Sequence, residues 1–329
     1  VSLLAGASAI PGVTVDFASL AQVRQWCQRS TRKHRGQQPM AGNFFSRYKG
    51  RGMDFAEVRA YQAGDDIRSI DWRVTARTGK AHTKLFHQER ERPLWLWVDQ
   101  RPSMYFGSRQ CFKSVLACQL AAFYAWQALS LGDKIGSVVF NDQDLRLHRP
   151  VGQQRSLQAL FANLIEFNQQ LLPAIPSTQP LKQPLIQQQP TPHASNTISD
   201  QNNHLATALR ALLHHLHKQS FVVLISDFSE WDSACPALLQ AIASRCHLIC
   251  HFIADPLEQN LPSKAQGWIT QGTEFLSLPS LGKAERQAFT EQFLQRQQAV
   301  QHSLYGSTSS FLPCLTSTPI EQWSRQLVA

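Results

Sequence analysis

"LWLWVDQRPS", Leu94 to Ser103, opens with five apolar residues and then reaches Asp99. A continuous apolar run that stops on an acid reads as a central parallel strand, buried on both faces. Asp99, Arg101 and Ser103 then fall at alternate positions. That spacing would suit a cation site if Arg101 were a Ser. A hydroxyl or carboxylate offers oxygen to a hard cation, whereas a guanidinium offers no acceptor.

Outward from this strand the rhythm is β/α. "SRQCFKSVLACQLAAFYAWQALSLG" predicts a long helix closed by Gly132. "KIGSVVFND" is a strand and "LRLHRPVG" its hairpin partner, with a helix over 153–168. "HLATALRALLHHLHKQ" predicts a helix over 204–219, followed by the strand "FVVLISDF", a helix over 233–244 and a strand over 246–254. Such alternation implies a mostly parallel sheet with helices on both faces. Between 169 and 203 the chain turns to Gln and Pro without an aromatic residue, which predicts a flexible insertion.

Toward the front, residues 16–33 read as an amphipathic helix with Phe17, Leu20, Val23, Trp26 and Cys27 on one side. A Gly-punctuated basic segment follows. Next comes "MDFAEVRAYQAGDDIRSIDWRVTARTGKAHTKLFHQERE", a small β-rich unit with turns at Ala63-Gly64 and Thr78-Gly79 and a strand near 81–88. The expected organisation is therefore 1–90 for helix, basic segment and β-rich region, and 91–329 for the α/β domain with its insertion.

The 329 residues are 43% hydrophobic, enough for a sizeable core. No apolar run approaches the length of about eighteen residues that a membrane span needs, and the first residues lack the basic leader of a signal peptide. The net charge is +9, and Arg24 to Arg51 holds no acid. That stretch reads as a solvated basic face or a polyanion site, without a zinc-finger, RNA-recognition or helix-turn-helix signature. Seven Cys without paired spacing fit free thiols in a reducing compartment. In "CHLICHFIAD", alternation sets Cys246, Leu248, Cys250 and Phe252 on one face, which favours packing over zinc. His214 and His217 share a solvated helix face with Arg210 and Lys218.

In "GDDIRSIDW", Asp65, Asp66 and Asp71 invite a metal reading. Arg59, Arg68 and Arg73 are interleaved with them, which points to salt bridges and caps. Asp65 or Asp66 would cap a short turn carrying Ile67 and Ile70 inward.

These residues carry a resemblance. Gly50-Arg51-Gly52, Arg59-Ala60-Tyr61 and Gly64 through Trp72 resemble the hallmark of the bacterial domain-of-unknown-function 58 family. It continues into "ISDF" at Ile225–Phe228 and "ADPLEQNLP" at Ala254–Pro262, so it covers most of the chain from about residue 24. It implies an α/β von Willebrand A-like fold: a doubly wound, mostly parallel sheet preceded by a helix and the small β-rich segment. Relatives often carry N-terminal membrane helices, and this chain is similar to the soluble branch. The resemblance also implies a MoxR-type AAA+ ATPase as partner, with no catalytic activity securely attached.

In von Willebrand A domains an Asp-x-Ser-x-Ser, a Thr and a later Asp hold a divalent cation at the carboxyl end of the sheet. The open position takes a partner's carboxylate. Carried over, Asp99, Ser103 and Asp227 match, Asn203 stands where the Thr is expected, and Arg101 replaces the first Ser. Either Arg101 points away, or it replaces the metal by pairing with Asp99 or Asp227. The expected site is degenerate and metal-blocked, with no cofactor and at most weak Mg²⁺ binding. Arg59, Asp65, Asp66, Arg68, Asp71 and Trp72 are expected to serve structure or docking.

The expected function is a non-enzymatic, cytoplasmic interaction module for the ATPase. The alternatives are a metal-dependent hydrolase using the acidic signature cluster, and nucleic-acid binding through 24–51.

Overall fold

In the computed structural model, the described residues are 9–33, 55–62, 65, 67–86, 93–172, 203–217, 220–261, 268–271, 274–277, 282–307 and 309–326. The expected insertion lies outside them except at its ends. So does most of the basic stretch, with Asp66 and the turn at Ala63-Gly64. The chain divides into two units, 43–92 and the remainder.

The larger unit is built on six strands: β3 (Leu94–Asp99), β4 (Ile135–Phe140), β5 (Leu145–Val151), β6 (Phe221–Ser226), β7 (His247–Ala254) and β10 (Ser310–Leu315). Their order is β10-β7-β6-β3-β4-β5. Only the β4–β5 pair is antiparallel, so the sheet is mixed and mostly parallel, the arrangement expected of a von Willebrand A-like domain. β3, β4 and β6 are buried at every residue, as their unbroken apolar runs require. β10 carries Pro313, a residue that cannot donate to a ladder and is tolerated at an edge.

Helices cover both faces. α5 (His204–His215), α6 (Cys235–Ala243) and α8 (Lys283–His302) pack with Trp95, Trp97, Cys246, Leu248, Cys250 and Phe252 in one core. On the other face lie α3 (Lys113–Leu131) and α4 (Gln153–Gln170). α3 buries fourteen of its nineteen residues, so it is a core helix apolar on all sides. It is the one described helix long and apolar enough to cross a membrane, and 72% of that window is buried inside the fold.

α3 starts at Lys113, five residues later than the sequence suggests. The preceding residues are bonded elsewhere: the Phe112 amide donates to Gly12 O, and the Ser108 amide to Asp255. α1 (Phe17–Lys33) packs with the larger unit and not with the segment that follows it. The Trp126 indole donates to Leu20 O at 3.0 Å, and the Val15 amide to Asn168 Oδ1 at 2.9 Å. The hairpin of β8 (Trp268–Gln271) and β9 (Glu274–Ser277), with α7 (Pro256–Gln259) and α9 (Ile320–Gln326), completes this unit.

The smaller unit pairs β1 (Phe55–Ala60) with β2 (His82–Phe86), antiparallel, around a short helix, α2 (Trp72–Thr78). The helix was hidden in the β-rich reading. Asp71 caps it by accepting from the Arg73 and Val74 amides, and Gly79 closes it at φ 73°, where a side chain would be strained. The capping acid is thus Asp71, not Asp65 or Asp66. Ile67 points outward at 66% exposure, against the expected inward orientation, while Ile70 is half-buried.

One buried polar chain ties β7, β10 and α3 together. His251 Nε2 lies 2.8 Å from Tyr124 Oη, and Nδ1 lies 3.2 Å from Cys314 Sγ. Burial holds the His251 pKa down to about 3, so the ring is neutral in the fold and charges readily only on unfolding. Its contribution is fully present above pH 6.5 and is lost as pH falls toward 3. Stability should drop by about 2 kcal/mol from His251 alone between pH 6.5 and 5. Urea unfolding at the two pH values checks this, and His251→Gln should flatten the slope. An unchanged slope in the variant would remove His251 as its source.

Candidate functional site

Three parallel strands end on or just before acids at one edge of the sheet: Asp99 closes β3, Asp227 follows β6 and Asp255 follows β7. In open α/β sheets this carboxyl edge is where ligands bind.

Asp99 is fully buried and accepts from one side chain along a whole edge. Arg101 Nε lies 3.0 Å from Oδ1 and Nη2 lies 2.7 Å from Oδ2, a bidentate fork. The Arg101 amide and Ser226 Oγ bond the same carboxylate at 2.9 and 2.6 Å. Arg101 is 1% exposed, and burial among carboxylates holds its pKa above the ordinary arginine range. It does not point away; it replaces a metal.

Asp227 has a cation of its own. Lys113 Nζ, at the first position of α3, lies 2.7 Å from Asp227 Oδ2 and 2.7 Å from Glu258. Arg101 Nη2 stands 3.8 Å from the other oxygen. Burial opposes ionisation of Asp227, but Lys113 and Arg101 outweigh it and hold its pKa below the usual carboxylate range. The turn after Asp227 puts Phe228 at φ 51°, unusual for a bulky residue, and its ring is pinned between Trp97 and Phe252. Asp255 faces away from this cluster; Ser108, Thr316 and the Leu257 amide donate to it.

The structure brings Asp99, Arg101, Ser103 and Asp227 together. Ser103 Oγ is 3.4 Å from Asp227 Oδ1 and 2.9 Å from Ser229 Oγ. Asn203 is spent elsewhere: its Oδ1 accepts from the Ala206 amide as the cap of α5, and its Nδ2 donates to Glu230 O. Lys113, Ser226, Ser229, Glu230 and Glu258 were not foreseen. In the smaller unit, Asp65 bonds Arg59 Nη2 at 2.7 Å and the Gln62 amide at 2.9 Å. Trp72 is 68% exposed.

These residues do not fit a divalent cation. Two cations are already bonded to the acids that would hold it, and repulsion at a few ångströms is severe in a buried site. Among the described residues no group of three or more His, Cys, Asp or Glu is placed to hold a metal.

The family profile described as "Protein of unknown function DUF58" matches residues 57–299. The chain belongs to the DUF58 family. Within it, the uncharacterized proteins Rv1480 of Mycobacterium tuberculosis and Mb1516 of Mycobacterium bovis are each 29% identical over 225 residues. That alignment takes in 67% of this chain and 61% of each relative's length. Among solved structures, the conserved hypothetical protein BatB of Bacteroides thetaiotaomicron is similar at TM-score 0.40 and 13% identity, over 72% of this chain and 97% of that one. An aerotolerance-related membrane protein of Bacteroides fragilis is similar at TM-score 0.40 and 12% identity, over 72% and 98%.

This DUF58 chain should show no Mg²⁺-dependent rise in melting temperature at millimolar metal. Even a ligand at its dissociation constant would add about 0.4 kcal/mol. Arg101→Ser alone should not change that, because Lys113 still holds Asp227. A clear rise in the wild type would show that the two cations yield to metal.

Proposed function

We propose that this chain is a non-enzymatic, cytoplasmic protein-interaction module that acts as partner or adaptor of a MoxR-type AAA+ ATPase. ATP hydrolysis belongs to the partner. The observation that carries the reading is the self-neutralised carboxyl edge. Arg101 and Lys113 fill the place of a cation with fixed, buried charge, which suits a rigid recognition surface.

The signature segment supplies a second contact. Trp72 and Ile67, at 68% and 66% exposure, stand out of the smaller unit beside Arg73 and Arg77, and exposed Trp and Arg are typical binding anchors. Asp71 and Asp65 serve as cap and ion-pair partner there, which favours docking over hydrolysis. Arg59, Asp66 and Arg68 are assigned to the same docking segment.

The test is capture of the ATPase by the purified chain, with ATP and with ADP, beside Trp72→Ala. The reading expects capture that Trp72→Ala weakens at least tenfold with the fold intact. Metal-dependent turnover by the chain alone, without capture, would replace it with the hydrolase reading. Salt-sensitive capture of polyanions would favour the nucleic-acid reading.

A further inference from the structure

The two faces of the Arg101 guanidinium are held very differently. Its inner edge is locked bidentately on Asp99. Its outer nitrogen, Nη1, lies 2.9 Å from Glu230 Oε2, yet the two atoms form no hydrogen bond of proper geometry. Both atoms are buried, so a charged donor and a charged acceptor are desolvated without full return.

Glu230 also differs from the acids around it. Asp99, Asp227 and Glu258 are 0%, 1% and 14% exposed; Glu230 is 41% exposed. It stands on the turn after the strained Phe228. Holding a long side chain at such a rim costs entropy and returns little.

We infer that the Arg101–Glu230 contact is an exchangeable seat, in which an acidic side chain of a binding partner takes the place of Glu230. One carboxylate leaves and another enters, so the buried charge balance is conserved. An incoming carboxylate with good alignment makes the charge-assisted bonds that Glu230 does not. A phosphate fits less well, because its extra charge would meet Asp99, Asp227 and the nearby Asp142, which already interacts with Arg101 and Asp99. This deepens the interaction-module reading, and rests on it, by naming the group the partner offers.

The test uses the intact chain and acetate as the probe. Glu230→Ala vacates the seat. Acetate should bind it at least tenfold more tightly than wild type in an NMR titration, while acetamide should not. In the Glu230→Ala background, Arg101→Lys keeps a positive charge but removes Nη1, and the gain should vanish. If Glu230→Ala unfolds, Glu230→Gln carries the same comparison. Equal acetate affinity in wild type and variant, or a gain that survives Arg101→Lys, overturns the seat. The seat is read without the ATPase. A chain that gains acetate as expected but captures no ATPase keeps the seat and loses the adaptor reading, and the reverse result loses the seat alone.

Discussion

Asp99→Ala will lower the stability of the larger unit by about 3–5 kcal/mol, the scale for stranding one member of a buried ion pair. Arg101 would lose both inner bonds, and Ser226 Oγ its acceptor. The melting temperature should fall by roughly 10 °C. Replacing both partners, as Asp99→Leu with Arg101→Met, should recover much of the loss, because no uncompensated charge remains. A double-mutant cycle reads this as a coupling of a few kcal/mol. Additive single losses would mean that Asp99 and Arg101 are not each other's counter-ion.

Lys113→Met should cost a similar amount and leave a distinct acid signature. In the wild type, the depressed pKa of Asp227 gives stability that is present above the ordinary carboxylate pKa of about 4. It is lost as pH falls toward the folded value. Without Lys113, burial acts on Asp227 with less opposition and its folded pKa rises. Acid unfolding, followed by circular dichroism, should then begin at higher pH than in the wild type. An unmoved midpoint would remove Lys113 as the principal counter-charge.

The strands that carry this site were legible because each is an apolar run ended by an acid, a pattern local to the chain. Arg101 was legible by its chemistry, since a guanidinium cannot ligate a metal. Whether it turned toward Asp99 depended on three-dimensional packing. Lys113 was missed because its partners lie far off in sequence, at Asp227 and Glu258. A signal did exist: it is the one charged residue in a nineteen-residue apolar helix, and a buried charge needs a counter-ion. α2 escaped because seven residues hold too little periodicity, although Asp71 and Gly79 bracket it. β10 escaped because Pro313 argues against a strand unless the strand is known to lie at an edge.

The smaller unit has a consequence for how the chain breathes. A two-stranded ribbon is marginal by itself in water, and α2 buries none of its residues. Its backbone amides will therefore exchange with solvent deuterons through local openings of low free energy. Those of β3, β4 and β6 will wait for events close to global unfolding. Hydrogen exchange then separates the molecule into a slow sheet and a fast signature. A partner seated on Ile67 and Trp72 would announce itself as slowed exchange in the ribbon, without any change in the sheet.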